Sequence, residues 1–223
     1  MTPVLIGVLV AGAAGVAIAA AIAADRRRQA SLSEYCQARG FRFERERRKA
    51  EQALADGFPV FREGRQRRWR WTISGVMGGQ PFTAFEYTYV KGGGNHSRRY
   101  RFAVLLWEAP EARLPRFSLV PEGWLQRLGQ RFGAKDFDFD VDPEFSRAYQ
   151  LQGDDEAAVR ALFTPGRRAF LMAPGPDAEK LQRHHLAGAG SRLLWWRGGR
   201  LPAAERLDQF LAEGDAVRRL FLG

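Results

Sequence analysis

The sequence has very little cysteine, lysine or histidine. Its one cysteine, Cys36, excludes an intramolecular disulfide and is typical of a protein kept in a reducing compartment. Only four of the 35 basic residues are lysine, so arginine carries nearly all of the positive charge. The histidines His96, His184 and His185 stand without cysteine pairs or a glutamate at zinc-binding spacing. We therefore predict no metal site and expect these histidines to be exposed or at strand edges.

Motifs for nucleotide binding and nucleophilic catalysis are also absent from the sequence. The run Gly92–Gly94 is followed by no Gly-Lys-Ser/Thr and lies between two predicted strands, as a hairpin tip does. The stretch Gly188–Ser191 matches no nucleophile elbow. We accordingly predict no cofactor and assign no catalytic residue. These absences weigh against an enzyme but do not exclude one.

Positive charge is concentrated in one part of the chain. Of the net charge of +10, residues 25–72 contribute +7, from 14 Arg and Lys against 7 Asp and Glu. A DNA-binding domain more often spreads its basic stripe over the folded body. In residues 67–74 the arginines alternate with the aromatic residues, so the two kinds would lie on opposite faces of a strand. Nucleic-acid binding through the basic N-terminal third is therefore kept only as an alternative.

The chain opens with a long uncharged stretch. Residues 3–24 contain no charge, and as a helix they would be roughly 33 Å long, enough to cross a hydrocarbon core of about 30 Å. This predicts a transmembrane helix over residues 3–24. Because Arg26–Arg28 follow it, the positive-inside rule places the N-terminus outside and the main domain in the cytoplasm. The alternative is an exported protein, since AIAAD, residues 21–25, has the form of a signal-peptide cleavage site.

Two groups of residues near this stretch are candidate binding sites. Small residues at every fourth position form a ridge through which transmembrane helices pack and self-associate, and they are Gly7, Ala11, Gly15, Ala19 and Ala23. Basic residues behind the stretch form a cluster suited to an anionic lipid surface, and they are Arg26, Arg27, Arg28, Arg45, Arg47, Arg48 and Lys49. The alternative for the ridge is that any Ala-rich helix shows such a row by chance. The alternative for the basic cluster is a topology signal followed by a solvated helix face.

Period-2 alternation predicts an antiparallel meander in the rest of the chain. In residues 67–74 the side chains of Trp69, Trp71 and Ile73 would share one face. Further strands are predicted at 82–90, 98–107, 116–120, 148–152 and 191–196, and helices at 30–39, 46–56, 122–132, 155–163 and 202–213, the last broken at Gly214 and Asp215. The predicted class is α+β: a transmembrane helix (3–24), a basic juxtamembrane helical segment (25–57) and a cytoplasmic domain (58–223) in which helices pack on one side of the sheet.

The stretch KDFDFDVDPEF, residues 135–145, is the most acidic feature. If it is extended, Asp136, Asp138 and Asp140 share one face and Phe137 and Phe139 the other. An EF-hand needs a glycine at position six and a glutamate at position twelve, where this stretch has Val141 and Arg147. We predict a solvated or arginine-paired strand face. The alternative is a membrane-tethered enzyme that uses the Asp136–Asp142 face.

The block that begins at Asp142 resembles a family of uncharacterised bacterial membrane-associated proteins of unknown function. Its matching elements are an Asp-Pro-x-Phe stretch, an acidic helix start and a Thr-Pro pair, here Asp142–Phe145, Asp154–Ala157 and Phe163–Pro165. Family members usually carry longer or paired membrane segments, and leucine where Phe163 stands. The resemblance implies a domain tethered to a membrane and implies no reaction, so no functional residue is carried over.

Together these observations predict a single-pass protein of the bacterial inner membrane whose cytoplasmic domain is a protein- or membrane-surface-interaction module. The predicted partners are the membrane, an anionic lipid surface, a second copy through the span, and a protein of unspecified identity. Nucleic acid is not the favoured partner.

Overall fold

A computed structural model describes residues 3–46, 57–124, 135–174 and 184–223, with the main chain alone at 3–14, 95 and 135–136. The helices predicted at 46–56 and 122–132 lie almost entirely outside these ranges. The strands within them form one antiparallel sheet: β1 (Arg42–Glu46), β2 (Arg65–Met77), β3 (Gln80–Lys91), β4 (Arg98–Glu108), β5 (Leu114–Pro121), β6 (Lys135–Asp136), β7 (Tyr149–Gly153), β8 (His185–Gly190) and β9 (Arg192–Gly198). Their order across the sheet is β1-β2-β3-β4-β9-β8-β5-β7-β6.

The helices of the described ranges are α1 (Pro3–Ala38), α2 (Pro143–Ala148), α3 (Glu156–Leu162), α4 (Pro165–Met172) and α5 (Ala204–Leu222). Short 3-10 turns occur at Pro59–Phe61 and Gly94–His96. The side chains of Asp142, Asp155 and Thr164 cap the starts of α2, α3 and α4 by accepting main-chain N–H groups. The chain is therefore α+β with an antiparallel sheet, as the alternation predicted.

The sheet separates two apolar layers. On one face, Trp107 and Trp195 pack with residues of α1 and α5 such as Leu32 and Phe210, and this face is the helix side. On the other, the second face, Phe85, Tyr87, Tyr89 and Trp196 are covered by Phe58 and Phe61. Alternation of period 2 explains this division, because successive side chains of a strand point to opposite faces. Helices α1 to α5 thus pack on the helix side, whereas the 3-10 turn Pro59–Phe61 and the residue Trp124 pack on the second face.

A β-bulge interrupts this alternation in β2. The pairing register shifts between Arg70 and Ile73, and Trp71 has a φ of 56°. As a result Trp69 lies in the layer of the second face, whereas Trp71 and Ile73 lie in the helix-side layer. The prediction that all three side chains share one face is wrong, because one additional residue in a strand moves the following side chains to the other face.

Helix α5 continues through the break that the sequence predicts. It runs from Ala204 to Leu222 without interruption at Gly214 or Asp215. Gly214 is buried, and a Cβ there would overlap with Leu105 and lie close to Trp107 and Trp195. Glycine stands here because the helix approaches the sheet closely, so the predicted break is wrong.

Helix α1 is part of the folded domain. It does not end near residue 24 but continues to Ala38, and Leu32, Tyr35 and Cys36 are buried in the helix-side core. Within the described ranges, no helix combines the length and the apolar character needed to cross a membrane. The transmembrane helix predicted over 3–24, and with it the single-pass description, is therefore wrong. The prediction relied on the absence of charge alone. A helix that crosses a membrane also needs sustained strong hydrophobicity, which a stretch made largely of alanine does not provide.

Candidate functional site

Helix α1 leaves the sheet with an exposed apolar stretch. All side chains of residues 15–24 are exposed, among them Val16 at 72%, Ile18 at 61% and Ile22 at 49%. Leu32, which follows Ile22 by ten residues in the same helix, is fully buried against the sheet. Contiguous exposed apolar side chains mark surfaces that contact a lipid or an apolar partner.

Asp25 fixes the direction in which the helix leaves the sheet. Its carboxylate accepts hydrogen bonds from Arg45 of β1 at 2.6 Å and from Arg70 of β2 at 3.2 Å. The guanidinium groups of Arg28, Arg45 and Arg70 also lie 5.5, 5.9 and 4.8 Å from the ring centre of Trp71, in cation–π range. The bulge in β2 thus presents Trp71 to the helix, and three arginines from three elements surround it.

A buried carboxylate lies beside this contact. Glu86 is only 4% exposed, accepts the main-chain N–H of Leu201 at 3.1 Å, and lies 3.7 Å from Arg28 and 3.5 Å from Arg101. Arg28 also donates to the carbonyl of Leu201. Burial lowers the pKa of Arg28 below its ordinary range, while the charge of Glu86 opposes that change. Glu86 thereby stabilises two arginines that would otherwise repel each other.

Further arginines lie at one end of the sheet. It is the end nearest Asp25, which α1 approaches when the helix is followed backwards from Ala38. The pairing registers bring Arg65 opposite Val90, Arg99 opposite Val90 and Arg98 opposite Lys91. The chain after β9 reaches the same end, because the N–H of Gly199 donates to the carbonyl of Arg101. The exposed arginines of this basic end are Arg26, Arg27, Arg65, Arg98, Arg99 and Arg200.

A groove of about 510 Å³ joins the apolar and the basic features where α1 leaves the sheet. We call it the α1 groove; it is lined by Ile18, Ala21, Ile22, Asp25, Arg26, Arg45 and Arg70. Its apolar side chains come from the helix, and its guanidinium groups come from the helix, β1 and β2. The groove can therefore hold an apolar chain beside an anionic group, the two parts of an anionic amphiphile.

The predicted basic cluster is brought together only in part. Arg26 and Arg27 are exposed, whereas Arg28 and Arg45 make the intramolecular contacts described above. Three further members, Arg47, Arg48 and Lys49, lie outside the described residues. Sequence reasoning missed Arg70, which bonds to Asp25 of α1, and it missed Arg98, Arg99 and Arg200, which the sheet brings to the basic end from distant parts of the chain. The only local signal was the arginine alternation of residues 67–70.

The small-residue ridge lies on the projecting part of α1. Gly15, Ala19 and Ala23 are exposed, and a Cβ built on Gly15 meets nothing within 4 Å. Gly7 and Ala11 are in the same helix, but their side chains lie outside the described part. Self-association through this ridge remains a prediction.

The aspartate stretch does not form a carboxylate cluster in the residues that the structure describes. Phe137 and Phe139 are buried, whereas Asp138 and Asp140 are exposed, as the alternation predicted. Only residues 135–136 are strand, and the side chain of Asp136 is not described. Asp142 caps α2 and accepts a hydrogen bond from Arg168 at 2.7 Å, so its role is structural. No group of three metal-ligating side chains occurs in the described ranges.

The adjacent histidines are buried, contrary to the sequence prediction. His184 faces the helix side and accepts a hydrogen bond at Nδ1 from the indole N–H of Trp195 at 3.1 Å. His185 faces the second face, where its ring lies 5.4 Å from that of Trp196. Burial lowers the pKa of His184 to about 4 and that of His185 to about 3. Both rings are therefore neutral at pH 7, while His96 is exposed at the β3–β4 hairpin tip.

These features define an α+β domain with a large antiparallel sheet, a basic end and a helix that projects from that end. A crystal structure of the mycobacterial trehalose monomycolate transport factor A, TtfA, is similar to this chain with a TM-score of 0.58 and 11% sequence identity. The alignment covers 87% of this chain and 94% of that one. At this level of identity the likeness establishes a shared fold. No protein-family model and no curated protein matches the chain, so the family resemblance remains a prediction.

Proposed function

We propose that this protein is a non-catalytic interaction module that binds an anionic membrane surface through the α1 groove and the basic end. The observation that carries the proposal is the groove itself, where exposed Ile18 and Ile22 lie next to Arg26 and to the Arg45 and Arg70 guanidinium groups that Asp25 holds in place. Apolar side chains enter the boundary between headgroups and acyl chains, while guanidinium groups bind phosphate oxygens. Membrane association then needs no span.

Both charge and fold support this proposal. Arg65, Arg99 and Arg200 are exposed at the same end of the sheet as the groove, and each such charge near the lipid surface would add about 1 kcal/mol of attraction to anionic lipid. The cytoplasmic leaflet carries the anionic lipids, so we place the domain on that side. A binding role also agrees with the shared fold, since the similar structure is that of a protein named as a transport factor.

Vesicle sedimentation of the full chain tests the proposal. We expect the protein to sediment with vesicles that contain phosphatidylglycerol and to remain in the supernatant with pure phosphatidylcholine vesicles. Replacing Arg26 and Arg27 by glutamine is expected to weaken binding about fivefold for each charge removed. Replacing Ile18 and Ile22 by serine should weaken binding in low salt as well as in high salt, because it removes apolar area.

A matched control removes two exposed arginines elsewhere in the fold, Arg113 before β5 and Arg147 in α2. This Arg113→Gln, Arg147→Gln variant has the same net charge as the Arg26, Arg27 variant and is expected to bind like the wild type. Equal weakening by both pairs would show that only net charge matters and would contradict the assignment of the site. Absence of binding to anionic vesicles would contradict the proposal as a whole.

A further inference from the structure

A row of three side chains crosses the helix side of the sheet near its basic end. The pairing registers place Arg68 of β2 beside Thr88 of β3, and Thr88 beside Arg101 of β4. Paired residues share a face of the sheet, and Thr88 lies between Tyr87 and Tyr89, which belong to the second face. Neighbouring strands are about 4.8 Å apart, so the two arginines start about 10 Å apart with the short side chain of Thr88 between them.

A second row lies next to the first because β2 contains another β-bulge. The register shifts between Arg65 and Arg68, and Gln66 has a φ of 53°, in the left-handed region that residues other than glycine seldom adopt. In a regular strand, residues three positions apart point to opposite faces, and the additional residue brings Arg65 to the face of Arg68. Arg65 is thus paired with Val90, and Val90 with Arg99 of β4. We call the four basic residues of the two rows the sheet-face arginines: Arg65, Arg68, Arg99 and Arg101.

The sheet-face arginines are poorly neutralised in the part of the chain that the structure describes. Arg68 and Arg99 are exposed, and neither forms a hydrogen bond or an ion pair there. Arg65 donates to the hydroxyl of Ser97 at 3.1 Å and to the carbonyl of Gly92, and both partners are uncharged. Like charges on one face repel each other, and an anion between the rows would relieve that repulsion.

The carboxylate next to these rows is already shared. Glu86, two residues before Thr88 in β3, lies 3.5 Å from Arg101 and 3.7 Å from Arg28. Burial lowers the pKa of Arg28, and the nearby charges of Arg200 and Arg101 lower it further. Glu86 thus has several cations around it and leaves the two rows with a net positive charge.

We propose that the sheet-face arginines bind the phosphomonoester headgroup of a lipid, an inference that rests on the proposed function. A phosphomonoester carries a charge of about −1.5 to −2 at pH 7 and three acceptor oxygens, more than the phosphodiester of phosphatidylglycerol offers. Guanidinium groups from two strands can donate to these oxygens from opposite sides. The source is a lipid, because the rows lie at the same end of the sheet as the α1 groove, where Ile18 and Ile22 supply apolar contacts.

Vesicles of equal surface charge test the choice of headgroup. The full chain is sedimented with phosphatidylcholine vesicles that contain either phosphatidic acid or phosphatidylglycerol, in fractions adjusted to the same zeta potential. We expect at least about fivefold tighter binding to phosphatidic acid, the effect of one further charge contact. Equal binding to both would overturn this inference and leave the proposed function intact, whereas no binding to either would overturn both.

Variants locate the preference. The double variant Arg68→Gln, Arg99→Gln is expected to bind the two kinds of vesicle equally, and its thermal unfolding should match the wild type, because neither side chain has a partner among described residues. The Arg26→Gln, Arg27→Gln variant has the same net charge and should bind both more weakly but keep the preference. Arg98→Gln should also keep it, since adjacent residues of β4 point to opposite faces. A preference that persists in the Arg68, Arg99 variant would overturn the inference.

A soluble probe distinguishes a lipid from a free phosphomonoester. Glycerol 3-phosphate, which has the headgroup without acyl chains, is added to protein bound to phosphatidic acid vesicles. At a concentration equal to that of the phosphatidic acid we expect little displacement, because the probe lacks the apolar contacts and the neighbouring headgroups of the membrane. Complete displacement would show that the ligand is a soluble phosphomonoester and would overturn the assignment to a lipid.

Discussion

The hydroxyl of Tyr35 donates a hydrogen bond of 2.7 Å to the carboxylate of Asp208. This bond joins α1 to α5, 173 residues later in the chain, and Arg39 donates to the same carboxylate at 3.0 Å. The bond from Tyr35 lowers the pKa of Asp208, and burial raises the pKa of Tyr35. The first helix is therefore held to the last helix as well as to the sheet.

Replacing Tyr35 by phenylalanine should lower the free energy of unfolding by about 1 kcal/mol, because it removes this hydrogen bond and leaves the ring in place. Because the pKa of Asp208 is lowered in the folded protein, the difference in stability between the wild type and Tyr35→Phe should be largest at neutral pH. The difference should shrink as pH falls through that pKa, since the carboxylate is then protonated. Urea unfolding measures both effects. Tyr89→Phe is the control, because the buried Tyr89 hydroxyl has no partner among described residues, and this change should be neutral or stabilising. Equal losses would contradict the role of Asp208.

The buried histidines predict a loss of stability in mild acid. The pKa of His184 and that of His185 lie well below their ordinary value of 6.5 in the folded protein, so below pH 6.5 the unfolded chain binds protons that the folded chain does not. Stability should fall by up to about 1.4 kcal/mol per pH unit for each histidine between pH 6.5 and about 4. Urea unfolding at several pH values measures this slope.

Two histidine variants assign that slope. His185→Phe should lower the slope of stability against pH by the contribution of about one proton, since phenylalanine cannot be protonated. The ring contacts with Trp124 and Trp196 can persist in this variant. His96→Gln should leave it unchanged, because His96 is exposed. A slope that is the same in His185→Phe as in the wild type would show that His185 does not contribute.

Asp142 and Asp138 should differ sharply despite their similar sequence context. Asp142→Ala removes the cap of α2 and leaves Arg168, which is 6% exposed, without its carboxylate partner. We expect a loss of about 3 kcal/mol in the free energy of unfolding. Asp138→Ala should change it by no more than about 0.5 kcal/mol, because Asp138 is exposed. A large loss at Asp138 would indicate that the stretch acts as a unit.

Glycines in two helices should respond in opposite ways to alanine. Gly214→Ala should destabilise the protein by about 1–2 kcal/mol, because overlap with Leu105 outweighs the gain in helix propensity. Gly166→Ala, in α4, should be neutral or stabilise by about 0.5 kcal/mol, since a Cβ there meets nothing within 4 Å. Thermal unfolding of both variants checks the contrast, and a stabilised Gly214→Ala would contradict the close approach of α5 to the sheet.

Local periodicity was sufficient to predict which side chains of β3 and β4 share a layer. Phe85, Tyr87 and Tyr89 alternate along the strand predicted at 82–90 and lie in one layer, because an uninterrupted strand alternates strictly. The same reasoning failed in β2, where a bulge at Trp71 changes the alternation and no local residue pattern indicates it. It also failed for His184 and His185, whose burial depends on Trp195, Trp196 and the elements that cover them.

The candidate site was only partly visible in the sequence. Arg26, Arg27 and the apolar stretch before them were recognised, because charge and hydropathy are properties of neighbouring residues. Arg70 was not recognised as a partner of Asp25, since the bond between them depends on the packing of α1 against β1 and β2.

The sequence by itself determined the α+β class, the antiparallel strands and the concentration of positive charge behind the first helical stretch, because these follow from composition and local periodicity. Only the tertiary structure decided that α1 continues into the core, that α5 passes Gly214 without a break, and that arginines from several strands meet at the base of α1. Those outcomes depend on which surfaces pack together. Contacts between residues far apart in the chain leave little trace in the local pattern.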